Sequence, residues 1–293
     1  MRISVVIRTL NEARHLPELL ASIGRQQLAE GSCEVVLVDS GSTDGTLQIA
    51  ESHGCRILHI NKDEFSFGRS LNIGCMAATG EALVFISGHC IPCNPDWLAK
   101  LVAPLGQGGV VYTYGGQLGG DTTRFSEHQI FAKYFPPQSR VPQSGFYCNN
   151  ANAALLQSEW LKTRFDEDLT GLEDMHLAKR LVLQGARVGY VAEAKVLHLH
   201  DESWRQVKRR FEREAIALQN IMPEVQLGLL DVLRYAVSAI LLDASVALNE
   251  RMLSRSLAEI VAYRVCQFWG AYRGNHAHRQ LSRRAKDRYY FPR

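Results

Sequence analysis

This chain carries no disulfide framework. Its seven cysteines, Cys33, Cys55, Cys75, Cys90, Cys93, Cys148 and Cys266, are odd in number and scattered, which fits a reduced compartment rather than a cross-linked secreted scaffold. Cys90 and Cys93 form a CxxC with no second pair at zinc-ribbon spacing. Long apolar runs are missing too. No window reaches the roughly 18 uncharged apolar residues of a membrane span, and the nearest approach, 235–242, is closed off by Arg234 and Asp243. The N-terminus turns polar at Arg8 and Asn11-Glu12, too soon for a signal peptide. The expected location is therefore cytoplasmic, with the inner face of the cell membrane as one place of work. The first strand ends in Thr9-Leu10-Asn11-Glu12 rather than Gly-x-Gly-x-x-Gly, which disfavours NAD binding.

What is present is ordinary globular material: 293 residues, 46% hydrophobic and 22% charged, enough for a sizeable core and one or two domains. The net charge of +3 is unevenly spread. Residues 1–200 hold 17 Lys/Arg against 20 Asp/Glu, and residues 251–293 hold 10 against 2. Basicity is thus confined to the C-terminal segment, where it suits an anionic membrane surface or an acidic partner. No nucleic-acid recognition motif accompanies it.

The first hundred residues alternate short apolar runs (Ile3–Ile7, Val35–Val38, Arg56–Ile60, Ala82–Ile86) with helical spacings such as Leu16, Leu19, Leu20 and Ile23. Uninterrupted apolar strands with helices between them predict a mostly parallel α/β sheet covered on both faces. Ligands then sit beyond the carboxyl ends of the strands, at the loops starting from Arg8, Asp39 and Ser87. After His200 three helical stretches follow, Trp204–Asn220, Leu227–Asn249 and Leu253–Tyr272. The predicted organisation is a catalytic domain over 1–202 and a helical region with a basic tail over 203–293. The stripe Leu227, Leu230, Leu233, Val237, Ile240, Leu241 and Ala244 suits packing on the catalytic domain, on a second copy in a homodimer, or shallowly in a membrane.

Several loops carry groups capable of chemistry. Asp39 to Thr46 combines a carboxylate, small residues and a helix start, suiting a ribose or base edge as well as a plain capped turn. Ser87-Gly88-His89 ends the fourth strand, and His198 and His200 alternate onto one face of an extended segment. Imidazoles weakly favour Mn²⁺ over Mg²⁺, and a diphosphate completes the coordination of a sparsely liganded ion. Glu173-Asp174 opens a helix, where a carboxylate is held ionised by the helix dipole, as a general base requires. Arg69 is equally a phosphate ligand or a solvated helix residue. Asn149, Asn150 and Asn152 either position a sugar or diphosphate or satisfy loop backbone.

In this order, Val5 to Glu12, Val38 to Thr46, Phe67 to Gly74, Phe85 to His89, Gly171 to Asp174 and His198 resemble the family 2 glycosyltransferases with the GT-A fold. The closest look is to bacterial surface-polysaccharide and rhamnosyltransferase-like members. The resemblance covers about residues 1–205. It implies inverting transfer from a UDP-, dTDP- or GDP-linked sugar to a saccharide or lipid-linked acceptor. Thr9, Asn11, Glu12, Asp39, Ser40, Arg69, Asn72, Ser87 and Gly88 would then lie at the donor, Asn149, Asn150 and Asn152 at the acceptor or diphosphate. Asp174 would be the base with Glu173 beside it, and His89, His198 and His200 the ligands of Mn²⁺ or Mg²⁺. The family's Asp-x-Asp is here Ser-Gly-His, which leaves little charge to hold a cation before the donor arrives. An inactive nucleotide-sugar-binding scaffold is the alternative that this departure raises; the intact Glu173-Asp174 pair opposes it.

Overall fold

The computed structural model describes residues 1–28 and 33–277. The part of the basic tail running from Arg283-Arg284 to Arg293 lies outside the described residues. The chain forms two compact units: one of residues 1–123, 130–169 and 173–200, the other of 124–129, 170–172 and the chain from Asp201 on.

In the first unit the strands are β1 (Ile3–Thr9), β2 (Cys33–Asp39), β3 (Arg56–His59), β4 (Ala82–Ser87), β5 (Cys90–Pro92), β6 (Val110–Gly119), β7 (Asn152–Leu156) and β8 (Arg187–His198). They make one sheet in the order β3-β2-β1-β4-β7-β6-β8-β5. Strands β1 to β4 are parallel neighbours as their apolar sequences predict, but β7 runs antiparallel to both β4 and β6. The sheet is therefore mostly parallel, as expected, with antiparallel pairings where β7 and β5 join it. Helices α1 (Leu16–Gly24), α2 (Thr46–Ser52), α3 (Phe67–Ala77), α4 (Trp97–Val102), α6 (Gln157–Lys162) and α7 (Glu173–Leu183) belong to this unit, and α5 (Phe125–Tyr134) is divided between the two. Strand alternation builds two cores. Val5, Ile7 and Val84 pack with Leu16, Leu19 and Leu20 of α1; Val6, Leu83 and Phe85 pack on the other face with Leu71 of α3 and Leu177 and Leu181 of α7.

Two features of this topology set up the site. The register pairs Thr9 with Asp39 and Arg8 with Ser87, so the loops after β1, β2 and β4 open at one edge. Strand β8 is twelve residues long; it follows β6 in parallel and ends antiparallel to β5, with His198 opposite Cys90. That pairing carries the end of β8 to the residue after His89.

The second unit contains α8 (Trp204–Ile221), α9 (Leu229–Asn249) and α10 (Leu253–Asn275). Gln206 starts α8 by accepting from the Ser203 backbone N–H at 2.9 Å, a capping box. Arg210 bridges Glu127 and Glu202 at 2.6 and 2.7 Å. On α9 the residues facing inward are Val232, Asp243 and Ala247, while Leu230, Leu233, Val237 and Leu241 of the sequence-read stripe are exposed. Among the described residues no helix is long and apolar enough to cross a membrane.

Candidate active site

The loops after β1 and β2 are stitched together by their own polar groups. Asn11, held at φ +58°, accepts from the Thr43 N–H at 2.8 Å and donates its backbone N–H to Ser42 Oγ at 2.8 Å. Glu12 and Ala13 donate their N–H groups to Thr46 Oγ1 and Asp44. Buried Asp39 takes the Gly41 and Ser42 N–H groups on Oδ2, at 2.8 and 3.0 Å, and the Ser42 and Thr9 hydroxyls on Oδ1. Its four donors are internal, so Asp39 shapes the turn with its carboxylate already engaged. Ser40 is buried with its hydroxyl on the Thr9 carbonyl, 3.1 Å away. Beside this turn lies an open cleft of about 610 Å³ lined by Ser40, Gly41, Ile60 and the Asn61–Glu64 segment, at the carboxyl ends of β2 and β3.

Three imidazoles converge where the segment after β4 meets the end of β8. His89, His198 and His200 each offer a ring nitrogen within 4.8 Å of the others, and the rings of His198 and His200 have centroids 4.0 Å apart. Donors about 2.1 Å from a common divalent ion stand about 3.0–3.4 Å apart when adjacent and about 4.2 Å when opposite, so the three rings would draw together by side-chain movement to share one ion. His198 and His200 both reach the cluster. Its orientation follows from hydrogen bonding. His89 Nδ1 lies 2.8 Å from Glu12 Oε1; a carboxylate only accepts, so Nδ1 carries the proton and Nε2 the lone pair. Gly88 makes this contact possible, because a Cβ there would stand 2.8 Å from Glu12 Cγ. His198 is fixed through two amide side chains. The Ala151 backbone N–H donates to Asn149 Oδ1, which also receives Gln117 Nε2 at 3.1 Å. Gln117 therefore turns Oε1 to His198 Nδ1, 2.7 Å away, and again Nδ1 is the donor. Such partners orient metal-binding histidines. Glu12, which the resemblance puts at the donor, thus engages His89 and returns one carboxylate to a cluster whose motif has Ser87 in place of its first acid.

The other half of the site is Asp174. It is buried in the first turn of α7, with Oδ2 accepting from the Asn150 N–H and Oδ1 from the Met175 N–H, both at 2.7 Å. Leu172, just before the helix, is held at φ +56°, a strained conformation of the kind found at functional sites. Burial, with the neighbouring Glu173 charge second, pushes the Asp174 carboxyl up to about 7 against the two hydrogen bonds and Arg8, which lower it. This reverses the expectation from the helix dipole, because desolvation outweighs a helix N-terminus. Glu173 is engaged elsewhere, accepting from Arg8 Nη1 at 3.0 Å; Arg8 also lies 5.0 Å from the Phe67 ring centroid.

Other predicted residues are drawn into the framework. Asn152 is fully buried; it accepts from Trp97 Nε1 and donates to the carbonyls of Gly116 and Ala194, which removes it from the acceptor or diphosphate region. Asn72 likewise accepts from Trp160 Nε1 and the Phe165 N–H while donating to the Phe165 carbonyl and Glu167, so it clamps loop 165–167 to α3 instead of facing the donor. Replacing Asn72 by Ala strands those buried partners and should cost about 2–4 kcal/mol of stability, with donor KM little changed; a chemical denaturation midpoint and a donor titration check both. Arg69 remains at the surface, 3.4 Å from Glu64 of the cleft wall. Asn150 is different again: its Oδ1 accepts from Tyr112, and its Nδ2 is buried with no hydrogen-bond partner beside Asp174. Sequence reading missed the roles of Arg8, which holds Glu173, and of Gln117, which holds His198. Gln117 lies between Gly115-Gly116 and Gly119-Gly120, a spacing that reads as loop, and the structure instead extends β6 through it to Gly119.

Comparison with known proteins adds a consistent picture. The family described as Glycosyl transferase family 2 matches residues 4–165. The O-antigen chain rhamnosyltransferase RfbN of Salmonella typhimurium is 25% identical over 224 residues, covering 72% of this chain and 70% of that protein. A PGL/p-HBAD biosynthesis glycosyltransferase of Mycobacterium tuberculosis is 40% identical over 109 residues, 36% of this chain and 41% of that protein. Among solved structures, the mannosyltransferase PcManGT from Pyrobaculum calidifontis, in complex with GDP-Man and Mn²⁺, shares the fold with a TM-score of 0.63. It is 19% identical, with 95% of this chain and 86% of that one covered.

Proposed function

This chain belongs to glycosyl transferase family 2 and is a glycosyltransferase, and from that premise we propose that it moves a sugar, with inversion, from a nucleotide-diphosphate donor to a hydroxyl of a saccharide or lipid-linked acceptor in bacterial surface-polysaccharide synthesis. Similarity to an O-antigen chain rhamnosyltransferase favours a rhamnosyl or related donor, whether UDP-, dTDP- or GDP-linked.

One observation carries this reading: adjacent residues hold the two halves of the site. Asn149 fixes Gln117 and so His198, while Asn150 donates to Asp174. Proton removal and diphosphate departure are then set by one short loop. In the proposed step Asp174 takes the acceptor hydroxyl proton as its oxygen bonds to the anomeric carbon. The bond from that carbon to the diphosphate oxygen breaks on the opposite face, and the electron pair leaves with the nucleoside diphosphate. A base with a pKa near the working pH suits this task. His89, His198 and His200 would hold a divalent ion, Mn²⁺ or Mg²⁺, which when bound neutralises charge developing on the leaving diphosphate. The cleft by Ser40 and Gly41 receives the nucleoside, and the unpaired Asn150 Nδ2 donates to a substrate oxygen.

Thermal-shift screening of nucleotide-sugars with and without Mn²⁺ should give a stabilisation by the two together that exceeds the sum of the two alone. NMR of the product should then show an anomeric configuration opposite to that of the donor. Retention of configuration would remove the single-displacement mechanism.

A further inference from the structure

We infer that the helical unit docks on a phospholipid membrane, its apolar helix faces entering the headgroup boundary while a cationic groove takes lipid phosphates. This unit buries a small apolar core around Phe125, Ala247 and Ile260, yet it also buries charge and leaves many large apolar side chains outside. Between α9 and α10 lies an ion pair, with Asp243 accepting from Arg264 Nε and Nη2 at 2.7 and 2.8 Å, and Ser126 donating to the same carboxylate. Small residues bring α10 onto α8: a Cβ at Gly270 would stand 2.4 Å from the Lys208 carbonyl oxygen, and one at Gly274 2.1 Å from that of Glu212. Outward, α9 presents Leu230, Leu241 and Leu242 at 81%, 64% and 68% exposure, with Leu233, Val237 and Leu248 also exposed. Helix α10 continues this with Leu257, Val261, Val265 and Trp269. So many large apolar side chains exposed on two neighbouring helices mark an interaction site.

Charge identifies the occupant. Arg205, Lys208, Arg209 and Arg213 share one face of α8 and, with Arg273 of α10, line a groove of about 470 Å³ that contains a single carboxylate, Glu212. Arg273 follows Trp269 by one turn of α10, so the groove adjoins the apolar stripe. Arg279, Arg283, Arg284, Lys286, Arg288 and Arg293 extend this excess in sequence against Asp287 alone. A second copy paired through these faces would bring like-charged grooves together, whereas an anionic bilayer complements both the apolar and the cationic surface.

Flotation of the full chain separates these occupants. With vesicles of phosphatidylcholine and phosphatidylglycerol the protein should float, and it should remain soluble with phosphatidylcholine alone. Leu230→Gln with Leu241→Gln should lower the floating fraction at least about tenfold at an unchanged melting temperature and donor-hydrolysis rate. Arg205→Glu with Arg209→Glu should abolish the preference for anionic lipid. Flotation that survives in both variants, absence of flotation with either vesicle, or a concentration-dependent dimer broken by the leucine substitutions would overturn the inference.

Discussion

Asp174→Asn should lower kcat for sugar transfer about 10³-fold, within the range expected when a general base is removed, while the donor KM stays within about twofold, because only the proton acceptor is lost. The wild-type kcat/KM should rise with pH to a plateau above about 7, following the carboxyl that burial holds there, and the limb should vanish in the variant. The same shift has a stability consequence. Asp174 ordinarily titrates at 3.8 and does so at about 7 in the fold, so folding takes up a proton between those values. Its contribution is fully present below about 4 and lost as pH rises to about 7. Thermal melts across that window should show a decline with pH that Asp174→Asn removes. Donor hydrolysis without acceptor supplies the assay if the acceptor is not in hand. Asp174→Asn with more than a tenth of wild-type transfer and the same pH limb would place the base elsewhere.

The parts of the fold set by local periodicity were legible in the sequence. Leu16, Leu19, Leu20 and Ile23 have helical spacing and are all buried in α1, and β1 and β4 are buried on both faces as unbroken apolar runs require. Strand direction was not legible. Nothing in Asn152–Leu156 says that β7 enters antiparallel between β4 and β6, because direction depends on the path of the connecting segments. Strand β5 is only three residues long and acquires its meaning from the distant His198. Helix α9 shows a deeper limit. Its periodicity marks a stripe correctly, but whether that stripe faces the core or the surroundings depends on Arg264, twenty-one residues after its partner Asp243.

Site residues divide on the same physical line. Those announced by a strand end or a helix start, His89, His198 and Asp174, come to positions where chemistry can be argued. Those inferred from type alone divide further. Asn72, Asn152 and Asn150 are all buried amides, yet the first two are saturated and the third is not. An amide's role follows from its neighbours' hydrogen-bonding capacity, which composition does not encode. The tuning of Asp174 was misread for a related reason: helix position is visible in sequence, but the desolvation that overrides it is a property of packing.

The pairs Glu12–His89 and Gln117–His198 lead to the second large effect. Because both histidines donate from Nδ1, long-range ¹⁵N spectra of the metal-free protein should show Nδ1 protonated in each. An Nε2–H signal from His198 would refute the relay through Asn149. Glu12→Ala removes the carboxylate and the acceptor at once, so Mn²⁺ affinity in the presence of nucleoside diphosphate should fall about 10–100-fold. Gln117→Leu should do the same through His198, while metal-free nucleotide binding stays unchanged, since Gln117 touches Asn149 and His198 but not the Ser40–Gly41 cleft. Glu12→Gln keeps an acceptor for Nδ1–H and loses only charge, so its loss should be intermediate. Isothermal titration measures all three and also separates orientation from charge. If Glu12→Gln falls as far as Glu12→Ala, charge governs; if it stays near wild type, the hydrogen bond to His89 does. For the metal alone, three imidazoles and one displaced carboxylate should give weak binding that the donor diphosphate strengthens. Tight Mn²⁺ binding without nucleotide would contradict that coupling.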